Sequence, residues 1–141
     1  MTFIAEDSEV VLDALIRALE TLAHARVVGT AGSAAAAIDW LRSNAEDWDL
    51  AVLDLHLHTG TGLDILASLR DRLPRQRVAV LAIGLTAFLR EECLVLGADA
   101  VFDKSTELDS FMMFCDETWK ADKAGSPLFA DQVVPVPEIL K

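Results

Sequence analysis

The run Asp49-Leu-Ala-Val-Leu-Asp54 decides how this chain folds. Leu50–Leu55 is apolar on both alternations up to Asp54, the pattern of a central parallel strand covered on both faces. Two other short apolar runs also end in charge. Thr2-Phe-Ile-Ala closes on Glu6-Asp7, and Ala100-Val-Phe-Asp closes on Lys104. Strands that lie side by side and parallel bring all these groups to one carboxyl edge, where open α/β sheets bind their ligands.

Outward from this stretch, strand-like and helix-like patterns alternate five times. Val11, Leu12, Leu15, Ile16, Leu19 and Leu22 recur at three- and four-residue steps and mark an amphipathic helix, with Ser8 as its N-cap. Arg26–Thr30 is a second, β-branched strand, followed by an alanine-rich helix that ends near Ser43. A third helix is expected over Leu63–Leu73, stopped by Pro74. Val78–Ile83 is a fully apolar strand, and a helix from about Thr86 to Leu96 ends at Gly97, a left-handed C-cap. After the fifth strand, Ala100–Asp103, Ser105-Thr106 caps a last helix with Leu108, Phe111, Met112, Cys115 and Trp119 on one face. Thr106 and Asp109 have capping-box spacing.

Five strand-helix units imply an α/β fold, a doubly wound parallel five-stranded sheet with helices on both faces. Strand order is not written in the sequence. The flavodoxin-like (βα)5 order 2-1-3-4-5 is the one that sets strands one and three together at the switch point, as the acids require. Residues 1–121 form one domain, and residues 122–141, with Gly125, Pro127, Pro135 and Pro137, form an extended C-terminal tail.

Composition narrows the function classes. Twelve basic against 23 acidic residues give a net charge of −11, which argues against a nucleic-acid surface. Apolar residues make up 52% of the chain in segmented fashion, so it is globular. There is no leader pattern and no apolar run of membrane-spanning length, and a cytoplasmic location without membrane contact is expected. Cys93 and Cys115 sit in apolar helical patterns and read as small buried hydrophobes.

Clustered acids repel one another unless a cation joins them, so Glu6, Asp7 and Asp54 ask for a metal. These residues resemble the receiver domain of bacterial two-component response regulators over roughly residues 1–120. The likeness rests on Glu6-Asp7, Asp54, Gly62 in "LDLHLHTGTGLDIL", Gly97-Ala98-Asp99 and Lys104, in that order and at those separations. The resemblance implies that Asp54 accepts a phosphoryl group from a histidine kinase or phosphotransfer protein, with Mg²⁺. It implies Glu6, Asp7, Asp54 and the backbone carbonyl of His56 as oxygens around the ion, and Lys104 as the charge that meets Asp54 and the phosphoryl group. Mg²⁺ suits such a set, because it prefers near-octahedral oxygen ligands and keeps several waters. Read singly, Glu6-Asp7 also suits the positive end of the first helix, Asp54 a turn, and Lys104 a solvated surface.

The chain departs from the resemblance at the switching positions. The family's Thr or Ser at the end of strand four falls on Ala82, and its aromatic switch in strand five falls on Val101. Thr86, four residues past Ala82, is a hydroxyl that a shifted loop could bring in as a substitute. His58 stands where the family often has Pro. With His56 it makes a His-x-His pair, which can chelate zinc given a third ligand but is read as solvent-facing. The resemblance also places His56 beside the site, where that position tunes acyl-phosphate lifetime.

The expectation is a single-domain response regulator of a phosphorelay, not an enzyme, that signals by protein-protein contact with a downstream target. A homodimer through helices four and five is a further expected partner. Residues 122–141 are too few for a helix-turn-helix module. The alternative is a pseudo-receiver, an interaction module acting without phosphorylation, because Ala82 lacks the switch hydroxyl. A Mg²⁺-dependent phosphatase of related topology needs an Asp two residues past its nucleophile, and His56 stands there.

Overall fold

The computed structural model describes residues 1–124. Five parallel strands, β1 (Thr2–Ala5), β2 (Val27–Ala31), β3 (Leu50–Asp54), β4 (Arg77–Ala82) and β5 (Ala100–Asp103), form one sheet in the order β2-β1-β3-β4-β5. Between and after them run α1 (Glu9–Leu22), α2 (Ala34–Ser43), α3 (Gly62–Ser68), α4 (Ala87–Val95) and α5 (Leu108–Ala124). The order expected from the acids is the order found.

Side chains alternate across the sheet, and each face has its own core. Phe3, Ala5, Ala51, Leu53, Val78, Val80 and Ala82 point to the side covered by α2, α3 and α4, with Trp48, Ile65 and Leu66 beneath them. Ile4, Val52, Ala79 and Leu81 point to the other side, under Leu19 of α1 and Phe111 and Cys115 of α5. All five residues of β3 are buried, which is why its sequence has no polar alternation.

Hydroxyl caps start the helices. Ser8, Ser33, Thr61 and Thr86 each accept a hydrogen bond from the amide three residues on, and Thr61 with Asp64 completes a capping box. Helix α3 is shorter than the apolar pattern suggests. Beyond Ser68 the chain tightens into turns, with the Leu69 amide on the Leu66 carbonyl and the Arg72 amide on that of Leu69. The Arg72 guanidinium then gathers the carbonyls of Leu69 and Gln76 close by and of Gly97 across the fold.

Strand β2 lies one residue later than Arg26–Thr30. Helix α5 begins at Leu108, so Thr106 does not stand at its N-cap position. Helix α5 also runs to Ala124, and from residue 125 the expected tail lies outside the described residues. Cys93 and Cys115 are both buried and free, and burial pushes the Cys115 thiol up to about 12.

Candidate phosphoacceptor and metal site

The register carries the site. Ala5 of β1 pairs with Leu53 of β3, Asp54 pairs with Leu81 of β4, and Ala82 pairs with Asp103 of β5. Glu6-Asp7, Asp54 and Lys104 therefore leave the same edge of the sheet. One oxygen from each of Glu6, Asp7 and Asp54 lies within 4.8 Å of the others. Glu6 and Asp54 are 3% and 6% exposed, so their repulsion is poorly screened by water.

Lys104 answers that charge. Its Nζ lies 2.7 Å from Glu6 Oε1 and 3.2 Å from Asp54 Oδ2. Its backbone amide donates to the Ala82 carbonyl at 2.8 Å, which holds the residue at the sheet edge. Burial acts to lower the Lys104 pKa, but its bonds to Glu6 and Asp54 outweigh that and hold it above the ordinary lysine value. Burial raises the Glu6 carboxyl, against the lowering pull of Lys104. Burial also acts upward on Asp7, but its interactions with the neighbouring Glu6 carboxyl and with the side chain and amide of His58 bring it below the usual range.

Backbone groups complete the cradle. The Ser8 amide donates to Glu6 Oε2 at 3.1 Å and the His56 amide to Asp54 Oδ1 at 3.2 Å. The loop after β3 folds straight back, with the Gly62 amide on the Leu55 carbonyl at 3.1 Å. A Cβ on Gly62 would stand 2.7 Å from the Asp54 carbonyl oxygen, so only glycine lets the chain return this closely.

Glu6, Asp7, Asp54 and Lys104 meet at this edge, and the switching positions behave differently. Ala82 is fully buried beside it and brings no hydroxyl. Thr86 does not substitute, because it is exposed and its Oγ1 caps α4 by accepting the Leu89 amide at 3.1 Å. Val101 faces the core beneath α4, and its neighbour Phe102 stacks edge-on against Phe111 on the opposite face. Asp103 holds the loop that follows β4. Its carboxylate accepts the Leu85 amide at 3.1 Å, and the amide and hydroxyl of Ser105 at 2.8 and 2.5 Å.

The sequence reading placed His58 in solvent but missed its contact with Asp7. Its ring is 89% exposed, as expected of a loop histidine, yet its amide donates to Asp7 Oδ2 at 2.8 Å and its Nδ1 contacts the same oxygen. The contact with Asp7 is made by His58 and not by His56. Once β3 ends at Asp54, strand alternation no longer governs which way they point. The His-x-His spacing was the available signal, and its missing partner was a carboxylate distant in sequence.

A doubly wound parallel sheet carries three converging carboxylates at its switch point, with a lysine reaching them from the end of β5, and the result is an acidic pocket able to hold a cation. The chain belongs to the response regulator receiver domain family, whose model matches residues 2–114. It is 34% identical over 93 residues to the DNA-binding transcriptional activator DevR/DosR of Mycobacterium tuberculosis, covering 66% of this chain. The chain spans about two-fifths (40%) of the length of that curated relative.

It is also similar to the crystal structure of a response regulator protein from Burkholderia pseudomallei with a phosphorylated aspartic acid, calcium ion and citrate. The two share 25% identity at a TM-score of 0.68, over 89% of this chain and 74% of that one. A DNA-binding response regulator of the LuxR family from Staphylococcus aureus shares the fold at a TM-score of 0.72 and 17% identity, over 83% of this chain and 96% of that one. Receiver domains bind a divalent cation at this acidic pocket, and Glu6, Asp7 and Asp54 are the side chains here whose oxygens lie close enough together to hold one.

Proposed function

We propose that Asp54 accepts a phosphoryl group from a histidine kinase or a phosphotransfer protein, with Mg²⁺ in the acidic pocket, and that the chain then signals by protein contact. The observation that carries this reading is the convergence of three carboxylate oxygens within 4.8 Å, with Lys104 Nζ 3.2 Å from Asp54 Oδ2. Glu6, Asp7, Asp54 and the His56 backbone carbonyl would hold the ion. When bound, Mg²⁺ supplies positive charge between an anionic nucleophile and an anionic phosphoryl group.

An Asp54 carboxylate oxygen forms a new bond to phosphorus, and the donor's phosphorus–nitrogen bond breaks. Its electron pair stays on the donor imidazole, which takes up a proton. Lys104 lies within reach of both Glu6 and Asp54, and it turns from carboxylate to phosphoryl oxygen without leaving the pocket. His56 occupies the position that would hold an acid-base Asp in a phosphatase, so the chain is a phosphoacceptor rather than a turnover enzyme.

Output by protein contact suits the surface. Phe88 and Val95 of α4 are 75% and 72% exposed, and Met113 of α5 is 61% exposed, an apolar set fit for a downstream target or a second copy. The net charge of −11 disfavours direct nucleic-acid contact. Among the described residues no helix is long and apolar enough to cross a membrane, in keeping with a cytoplasmic role.

Incubation with acetyl phosphate and Mg²⁺ tests the reading. Intact mass rises by about 80 Da, one phosphoryl group, and Asp54→Asn abolishes the gain. One observation favours a second reading, a pseudo-receiver that acts without phosphorylation. Ala82 offers no switch hydroxyl, while Asp103 already pins the following loop through the Leu85 amide. Absence of any mass gain, from acetyl phosphate or from a kinase, selects that reading.

A further inference from the structure

We infer that the His58 imidazole is a nitrogen ligand to the cation in the Glu6–Asp7–Asp54 pocket, shifting the pocket's preference from Mg²⁺ toward imidazole-binding first-row ions such as Ni²⁺. This inference rests on the cation reading proposed above and adds a donor to it. Asp7 Oδ2 receives both the backbone amide of His58, at 2.8 Å, and its Nδ1. The amide bond fixes the His58 backbone beside Asp7, and the ring then has two torsions with which to present a nitrogen. Among the described residues the ring has no other hydrogen-bond partner. At 89% exposure it also has no packing to lose by turning.

Two donors on one ion, each bonded at roughly 2.0–2.2 Å, stand about 3 Å apart. An imidazole nitrogen already touching Asp7 Oδ2 needs only a small rotation to reach that separation. The three mutually close oxygens do not include a His58 atom, so the ring joins them when an ion draws it in rather than beforehand. Softer, imidazole-binding ions gain most from such a donor, whereas Mg²⁺ favours oxygen and keeps its waters. The zinc-like His-x-His spacing thus splits by role, with His58 acting through its side chain beside Asp7 and His56 through its backbone.

The test uses the full chain with Mn²⁺, read by pulsed electron paramagnetic resonance for ¹⁴N coupling from a directly bound imidazole. The coupling is expected in the parent protein and in His24→Ala, and lost in His58→Ala, whose exposed site leaves the fold intact. Calorimetric titration should show Ni²⁺ affinity falling by at least about ten-fold in His58→Ala, the scale of losing a metal-organising group. Mg²⁺ affinity should move by less than about two-fold, as expected for an ion that prefers oxygen donors. Bound Mn²⁺ without ¹⁴N coupling overturns the inference and leaves the phosphoacceptor reading standing. Coupling lost in His56→Ala but kept in His58→Ala also overturns it, as does Mg²⁺ binding that tightens in His58→Ala, which would make the ring a competitor for Asp7. Failure of Mn²⁺ and Mg²⁺ to bind at all overturns both readings, and Asp7→Asn confirms that any binding seen belongs to this pocket.

Discussion

Replacing Lys104 with Met removes the cation of the pocket while keeping most of its volume, and the cost can be worked from the geometry. At an effective dielectric near 20, contacts of 2.7 Å to Glu6 and 3.2 Å to Asp54 correspond to gross attractions of roughly 6 and 5 kcal/mol. Desolvating a lysine that is 15% exposed offsets several kcal/mol of this. Proton uptake sets a ceiling on the loss. From its ordinary value of 4.5, protonating Glu6 at pH 7 costs about 2.5 × 1.36, or ~3.4 kcal/mol. Lys104→Met should therefore lower stability by about 2–3.5 kcal/mol at neutral pH, within the usual range for breaking a buried pair.

The pH dependence has a definite sign. Burial already raises the Glu6 carboxyl, and removing the lysine raises it further. A carboxyl raised in the folded state contributes stability that is present below its unfolded value and lost as pH rises through its folded value. The deficit of the variant is therefore small near pH 4.5, the ordinary glutamate value, and grows toward neutrality. Urea unfolding followed by the fluorescence of buried Trp48, at several pH values, measures it. Mg²⁺ should recover part of the loss by binding the folded state. A variant within about 0.5 kcal/mol of the parent at pH 7, or a deficit that widens on acidification, refutes the electrostatic account of the pocket.

Other consequences follow from single positions. Gly62→Ala drives a Cβ to 2.7 Å from the Asp54 carbonyl, and should destabilise by about 1–3 kcal/mol in thermal melts and weaken cation binding. Ser33→Ala removes the cap on the Ala36 amide and should cost ~1 kcal/mol in urea unfolding. The Ser105 side chain, then its amide, holds the Asp103 carboxyl low. Its stabilising effect is present above the ordinary 3.8 and lost as pH falls through the folded value, so Asp103→Asn should flatten the acid limb of a stability-pH profile. Ala82→Thr supplies the absent hydroxyl. Hydrogen exchange of residues 83–86 should then respond to acetyl phosphate, by a coupling of roughly 1.5–3 kcal/mol for one charge-assisted bond, where the parent protein responds less.

Much of this molecule was legible because its strands are short and mostly apolar, and three of them, β1, β3 and β5, stop at charges. The unbroken burial of Leu50–Asp54 gave away a central strand, and Glu6-Asp7, Asp54 and Lys104 marked one edge of the sheet. The early end of α3 was not legible, because the turns that follow it are held in part by Arg72 reaching the Gly97 carbonyl, 25 positions away. Thr86 looked like a spare hydroxyl until the start of α4 claimed it as a cap. Nothing in the periodicity of a loop told where the His58 ring would settle.

The sequence by itself determined the five strand-helix units, the acids at strand ends and the missing switch hydroxyl at Ala82, because each of these is a property of residues next to one another. Tertiary structure alone decided that Lys104 reaches Glu6 at 2.7 Å and Asp54 at 3.2 Å, that Asp103 pins the Leu85 amide, and that His58 meets Asp7. Those contacts join groups 98, 50, 18 and 51 positions apart. At such separations local propensity says nothing, and only the register of packed parallel strands brings the partners together.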